Sequence, residues 1–163
     1  MKKFTKTETK IISTIFIVLI FFISINILVS LRKGRDANRK NDISAMQGAV
    51  DTYLQKYREF PKSTVDGKII GCFNEDPRFD PVTDVVLNAI PCEWGVSTFE
   101  NIKVLSRDPS FAKGRGYLYI SDGDKYEIYV SLEGKNEAEY DKSVVVKNLQ
   151  CGSSICNYGK WSN

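Results

Sequence analysis

The side chains best suited to chemistry in this sequence are its four cysteines, which stand at positions 72, 92, 151 and 156. An even number, with two of them in a short loop, is typical of disulfide bonds formed in an oxidising compartment. Proximity favours the pairs Cys72–Cys92 and Cys151–Cys156, although four cysteines allow three pairings. Zinc bound by the same four residues is the weaker hypothesis, because the closely spaced pairs that hold structural zinc are missing.

Histidine is absent from the chain. Its absence excludes the commonest general base, the commonest metal ligand and the Ser-His and Cys-His forms of nucleophilic catalysis. Carboxylates gather near the last predicted strands, at Asp122, Asp124, Glu133, Glu137, Glu139 and Asp141. Oxygen-rich segments suit calcium, but this spacing matches no defined calcium loop and favours a solvated acidic surface. We therefore expect no catalytic residue, no cofactor and no metal, and predict that the chain is not an enzyme.

The elements that must position these residues begin with an apolar segment, residues 11–31, which reads IISTIFIVLIFFISINILVSL. It has no charge, proline or glycine, and a helix of this length spans a hydrocarbon core of roughly 30 Å. Its hydroxyls can bond a carbonyl one turn back, whereas Asn26 is expected to face another helix or an interface, or to be simply tolerated. Cleavage after this segment is disfavoured, because the segment is longer than a signal peptide and bulky basic residues follow it.

Apolar periodicity continues beyond the membrane segment. Apolar side chains recur three or four residues apart over residues 43–57, which is the pattern of an amphipathic helix. No proline interrupts the chain before Pro61, which disfavours helical geometry at Phe60. The sequence therefore predicts one long helix with a membrane half at 11–31 and an amphipathic half at 32–60.

Basic residues are dense at the start of the amphipathic half, where residues 32–40 read RKGRDANRK. One interpretation is an anchor at the lipid headgroups. The other is a set of helix-surface partners, four residues apart, of Asp36 and Asp42. A net charge of +3 and the lack of aromatic residues in this run give no support to a nucleic-acid partner.

Residues 61–163 are predicted to form a head domain, and residues 1–10 a short basic leader. Strand patterns occur at 68–73, 101–105, 116–121, 125–132 and 143–149. The dipeptide Asp122-Gly123 favours a tight hairpin between the third and fourth of these. The predicted fold class is therefore α+β, with the long helix packed on a small antiparallel sheet.

These features together resemble the type IV pilins and the pseudopilins of type II secretion. The similarity covers the apolar helix, the passage RDANRKNDISAMQGAVDTYLQKYREFPKS at residues 35–63, the aromatic hairpin SDGDKYEIYVSLE and the C-terminal loop bounded by cysteines. The processing signal of the family is a glycine followed by Phe-Thr-x-x-Glu. Here Phe4, Thr5 and Glu8 match that signal, and Lys3 stands at the position of the glycine.

The resemblance implies a role for Glu8. Cleavage before Phe4 would free an amine, and Glu8 would pair with the amine of a neighbouring subunit, since an unpaired carboxylate in lipid is costly. The residues themselves leave a second interpretation open, in which Glu8 pairs with a lysine of its own helix.

The function implied by the resemblance is that of a structural subunit of a bacterial type IV pilus or pseudopilus. Its partners would be copies of itself or other pilins, the inner-membrane assembly machinery and the lipid bilayer. We expect a single-pass inner-membrane protein with an extracytoplasmic head and, after assembly, a surface filament. The cysteines favour this orientation, because disulfides form in an oxidising compartment. The basic residues do not decide it, because they flank the span almost equally. The alternative is an uncleaved single-pass protein whose exported head binds a partner or ligand and does not polymerise.

Overall fold

The N-terminal third of the chain forms one continuous helix. The computed structural model describes residues 5–82 and 86–162, and helix α1 spans Lys6–Tyr57. Thr5 caps its N-terminus, and Arg58 ends it in the left-handed conformation with φ 62°. The single long helix was predicted, but the predicted end at Phe60 is wrong. The left-handed Arg58 ends the helix before Pro61 can exert its effect.

The two halves of α1 have different surroundings. Every side chain of residues 11–31 is exposed, and among the large apolar ones the exposed fraction runs from 40% for Val29 to 68% for Leu28. The second half buries an apolar stripe with spacings of three and four, formed by Ile43, Met46, Ala49, Val50, Tyr53 and Tyr57. This stripe is the predicted amphipathic face, and it packs on the head.

The described part of the head contains short strands and two short helices. The strands are β1 Lys62–Ser63, β2 Ile69–Cys72, β3 Ile90–Pro91, β4 Leu118–Ser121, β5 Tyr126–Val130, β6 Gln150–Cys151, β7 Ser154–Ile155 and β8 Tyr158–Trp161. They form antiparallel sheets with the orders β1-β2-β3, β4-β5-β8 and β6-β7. The helices are a 3-10 turn at Phe111–Lys113 and helix α2 at Lys142–Val146.

The β4–β5 hairpin supplies the centre of the head. Leu118 pairs with Tyr129 and Ser121 pairs with Tyr126, so four residues connect the strands, one more than the predicted strand bounds leave. Gly123 lies in this connection at φ 106°, a conformation that L side chains rarely adopt. In this longer connection the carboxylate of Asp122 accepts hydrogen bonds from the backbone N–H groups of Asp124 and Lys125.

The core lies between this hairpin and the apolar stripe of α1. Tyr119, Tyr126 and Ile128 of the sheet are at most 2% exposed and belong to the same cluster as the helix stripe. The Phe60 ring packs edge-on against Tyr126, with centroids 4.8 Å apart. The predicted α+β class, with a long helix on small antiparallel sheets, is confirmed.

Two predicted strands are wrong. Residues 143–149 include α2, because the Asp141 carboxylate accepts from the Ser143 N–H and caps the helix, although three consecutive valines favour a strand. Residues 101–105 contain no strand; an isolated bridge between Phe99 and Ile102 closes a turn there, and irregular chain follows. Strand β8 was missed, because the four residues YGKW are too short a pattern to distinguish.

Candidate functional site along the helix and at its junction with the head

The first described residues form a capping box at the start of α1. The Thr5 N–H donates to Glu8 Oε2 at 2.7 Å, and the Glu8 N–H donates to Thr5 Oγ1 at 3.3 Å. Glu8 is exposed, and Thr5 is the partner of its carboxylate, not the lysine of the same helix that the sequence left open. The other two residues of the predicted processing site, Lys3 and Phe4, lie outside the described residues.

The apolar half of α1 is suited to a lipid or helical environment. It is the one helix in the described residues that is long and apolar enough to cross a bilayer. Three of its polar side chains bond to carbonyls one turn back: Thr14 to Lys10, Ser24 to Ile20 and Asn26 to Phe22. The Asn26 amide therefore donates within its own helix, and its position against another helix or an interface stays a prediction.

The second half of α1 begins with a buried arginine. Arg39 is fully buried, and its Nε and Nη2 donate to the two carboxylate oxygens of Asp108 at 2.8 and 2.9 Å. Its Nη1 donates to Asp36 at 2.8 Å and to Glu133 at 2.9 Å. Nη2 also reaches the Ser110 hydroxyl at 3.1 Å. One guanidinium therefore connects α1 to two separate loops of the head with the forked geometry that arginine provides.

The carboxylates of this junction also bind backbone. Asp36, itself 1% exposed, accepts the N–H groups of Glu133 and Gly134 at 2.8 and 2.9 Å. Arg35 donates to both oxygens of Glu133, at 2.8 and 2.6 Å. We call the set Arg35, Asp36, Arg39, Asp108, Ser110 and Glu133 the junction network.

The charges of the junction network stabilise one another. Hydrogen bonds from Arg35, helped by those from Arg39, lower the pKa of Glu133 to about 2 despite its partial burial. Burial alone would lower the pKa of Arg39, but its bonds to Asp108, Glu133 and Asp36 raise it overall. These shifts favour the charged forms of Glu133 and Arg39, and the bonds between them make burying these groups tolerable.

The structure corrects the interpretation of the acidic run as a solvated surface. Arg35 and Arg39 bind head carboxylates, and the Lys40 ammonium lies 3.1 Å from Glu139 and 3.7 Å from Glu137. The predicted helix-surface pairing is also wrong: Asp36 bonds to Arg39, three residues away, and Asp42 accepts the hydroxyl of a head tyrosine, Tyr117. Several residues of the basic run at 32–40 are therefore ion-pair partners of carboxylates in the acidic run.

The cysteines form the pairs that proximity favoured. Cys72 at the end of β2 is bonded to Cys92 just after β3, and Cys151 of β6 is bonded to Cys156 just after β7. None of the four thiols is free to bind zinc. In the described residues there is also no group of three or more His, Cys, Asp or Glu side chains placed to hold a metal ion.

Comparison with known proteins finds no matching family model, no matching curated protein and no matching solved structure. The functional argument for this chain therefore depends on its own geometry.

Sequence reasoning missed the junction network. The partners of Arg39 on the head lie 69 and 94 residues further along the chain, so no local pattern predicts them. The usable signal was the i, i+3 spacing of Asp36 and Arg39 on the same helical side as Ile43 and Met46, which places both charges toward the head.

Proposed function

We propose that this protein is a filament subunit of a type IV pilus or pseudopilus, in which the apolar halves of many α1 helices bundle into a core and the heads form the outer surface. The observation that carries the proposal is the division of α1 into an apolar half exposed on all sides and an amphipathic half fixed to a disulfide-bonded head. A helix exposed on all sides has its partners outside the protomer, in lipid or in other helices.

The energetics favour exchange between membrane and filament. Lipid tails and neighbouring apolar helices cover the residues 11–31 almost equally well, so a subunit leaves the bilayer without losing burial of this surface. The bonds from Thr14, Ser24 and Asn26 to their own helix leave few polar hydrogens to satisfy in either environment. The bilayer then acts as the reservoir from which the inner-membrane assembly machinery draws subunits.

In the proposed function the junction network transmits force between α1 and the head. A subunit pulled by its helix must transmit the force to its head, and Arg39, Asp36 and Glu133 fasten the head to α1 just beyond the apolar half. The apolar stripe of α1 fastens the rest of the head. Head and helix therefore move as one body during extraction from the bilayer.

Glu8 would set the register between subunits. In the proposed filament its carboxylate leaves Thr5 and pairs with the amine that cleavage before Phe4 frees on a neighbouring subunit. Inside an apolar bundle such a pair is favoured over an unpaired charge, so it selects one axial offset between helices.

The test is the amount of the chain in filaments sheared from the surface of native cells. We expect the wild-type chain in the sheared fraction, and a reduction of about tenfold or more for Glu8→Gln at unchanged membrane level, which corresponds to losing one buried ion pair. Glu75→Gln is the matched control, because that carboxylate is exposed and its partner Arg78 lies on the same loop. Equal amounts of both variants in the filaments would contradict the role of Glu8.

Two observations favour the alternative of an uncleaved single-pass protein with a partner-binding head. The Glu8 carboxylate is already satisfied by Thr5 within its own helix, and Lys3 stands where the family has glycine. A chain that stays in the membrane fraction with the assembly machinery present, and whose N-terminus precedes Phe4 by mass spectrometry, would support this alternative.

A further inference from the structure

The continuity of α1 fixes the height of the head above the membrane. Asp36 follows the last apolar residue of the span, Leu31, by five residues, which is about 7.5 Å along a helix. The headgroup region of a bilayer is roughly 5–7 Å thick on each side. Because Asp36 binds the backbone of Glu133 and Gly134, this loop of the head lies at the outer edge of the headgroup region.

A second loop of the head lies beside the first. The side chains of Asp108 and Ser110 bind Arg39, which is about 12 Å beyond Leu31 along the helix. The next residue, Phe111, is 50% exposed although it is a large apolar side chain. The guanidinium of Arg107 lies over its ring, 4.8 Å from the centroid.

The unpaired charge at this end of the head is positive. Its carboxylates are engaged inside the protein, with Glu133 and Asp108 bound by arginines and Glu139 bound by Lys40. Lys135, next to Gly134, is exposed, as are Lys33 and Lys113. The Nε of Arg32 is shielded from solvent and has no hydrogen-bond partner in the described residues.

We propose that this end of the head binds the anionic phosphates of lipid headgroups, through a juxtamembrane patch formed by Arg32, Lys33, Arg107, Phe111, Lys113 and Lys135. The basic side chains reach the phosphates from the outer edge of the headgroup region, and the exposed Phe111 ring lies among them. We assign the bilayer as the partner of this patch for two reasons. Arg32 and Lys33 follow the membrane-spanning half of α1 directly, and the positive charge of the patch is opposite to that of anionic headgroups. The proposal depends on the span and not on polymerisation.

The test uses the full chain in nanodiscs of phosphatidylcholine, with or without about one-third phosphatidylglycerol. Hydrogen exchange of the backbone amides of residues 107–114 is the readout. We expect these amides to be protected about tenfold more in the anionic discs, and the difference to fall at high salt because the attraction is screened.

Two double variants separate binding from folding. Lys113→Glu with Lys135→Glu should abolish the lipid-dependent protection, whereas Lys62→Glu with Lys103→Glu, on exposed residues at the other end of the head, should leave it unchanged. Near-ultraviolet circular dichroism verifies that both fold. Equal protection in neutral and anionic discs, or protection that survives the first double variant, would overturn the proposal whether or not the protein forms filaments.

Discussion

Arg39 is a fully buried charge that joins α1 to two loops of the head. A guanidinium with no solvent exposure is costly to bury, and only its five hydrogen bonds to three carboxylates and a hydroxyl offset that cost. Asp36 and Asp108 would in turn be left buried without a counterion if the arginine were lost, whereas Glu133 would keep Arg35. The energetic weight of Arg39 therefore lies in what its removal leaves behind.

We expect Arg39→Met to destabilise the head by about 3–5 kcal/mol, because it leaves Asp36 and Asp108 as uncompensated buried charges. Urea unfolding of the full chain in detergent micelles measures this. Arg78→Met is the matched control, since Arg78 also pairs with a carboxylate three residues away, Glu75, but both side chains are 69% exposed. Its free energy of unfolding should change little. Equal losses for the two variants would show that the junction network is not a stabilising element.

The lowered pKa of Glu133 predicts how the stability of the head depends on pH. Its pKa is lowered in the folded state from 4.5 to about 2, chiefly by Arg35, so the protein binds fewer protons at Glu133 when folded. The contribution, roughly 3 kcal/mol, is fully present above pH 4.5 and is lost as the pH falls from about 4.5 to about 2.

Glu133→Gln should therefore be less stable than wild type at pH 7, and the difference should shrink toward zero near pH 2. The measurement is urea unfolding of both proteins in micelles at a series of pH values. A difference that stays constant from pH 7 to pH 2 would mean that Glu133 does not titrate in the folded protein as described.

At the scale of elements, the long helix is the part that sequence predicts best. Its two apolar patterns, continuous and then periodic, are local properties of the chain, whereas its end at Tyr57 depends on the left-handed Arg58, which the sequence did not predict. Helix α2 shows the opposite case. Val144, Val145 and Val146 have a strand pattern, but the capping carboxylate of Asp141 and the burial of Val144 decide for a helical turn.

The candidate site divides in the same way. The cysteine pairs were predictable because partners close in sequence are usually close in space, and the apolar span was predictable because length and composition suffice. The junction network was not. Its head partners, Asp108, Ser110 and Glu133, are brought to Arg39 by the packing of the sheet on α1, and nothing in their own neighbourhoods distinguishes them from exposed polar residues.

The two disulfides should differ in their contributions to stability. Cys72 and Cys92 are 20 residues apart, so their bond restricts the unfolded chain more than that of Cys151 and Cys156, which are 5 apart. We expect replacing both cysteines by serine to cost about 3 kcal/mol for the first pair and about 2 kcal/mol for the second. Urea unfolding under oxidising conditions compares them, and a larger cost for the second pair would contradict this ranking.

At the scale of the whole molecule, the protein is a rod with a head fixed along one half of it. Core packing and the junction network bind the head to residues 36–57, while residues 11–31 are left exposed. A soluble environment would disfavour such a surface, so its partners must be apolar. Bilayer and helical bundle both meet this requirement, and the proposed function uses them in turn.

The most direct test of this account is cryo-electron microscopy of filaments sheared from native cells and purified. We expect the reconstruction to contain this chain, with residues 11–31 of neighbouring subunits packed together along the axis and the disulfide-bonded heads on the outside. Filaments that lack this chain, together with a chain that stays wholly in the membrane fraction, would contradict it.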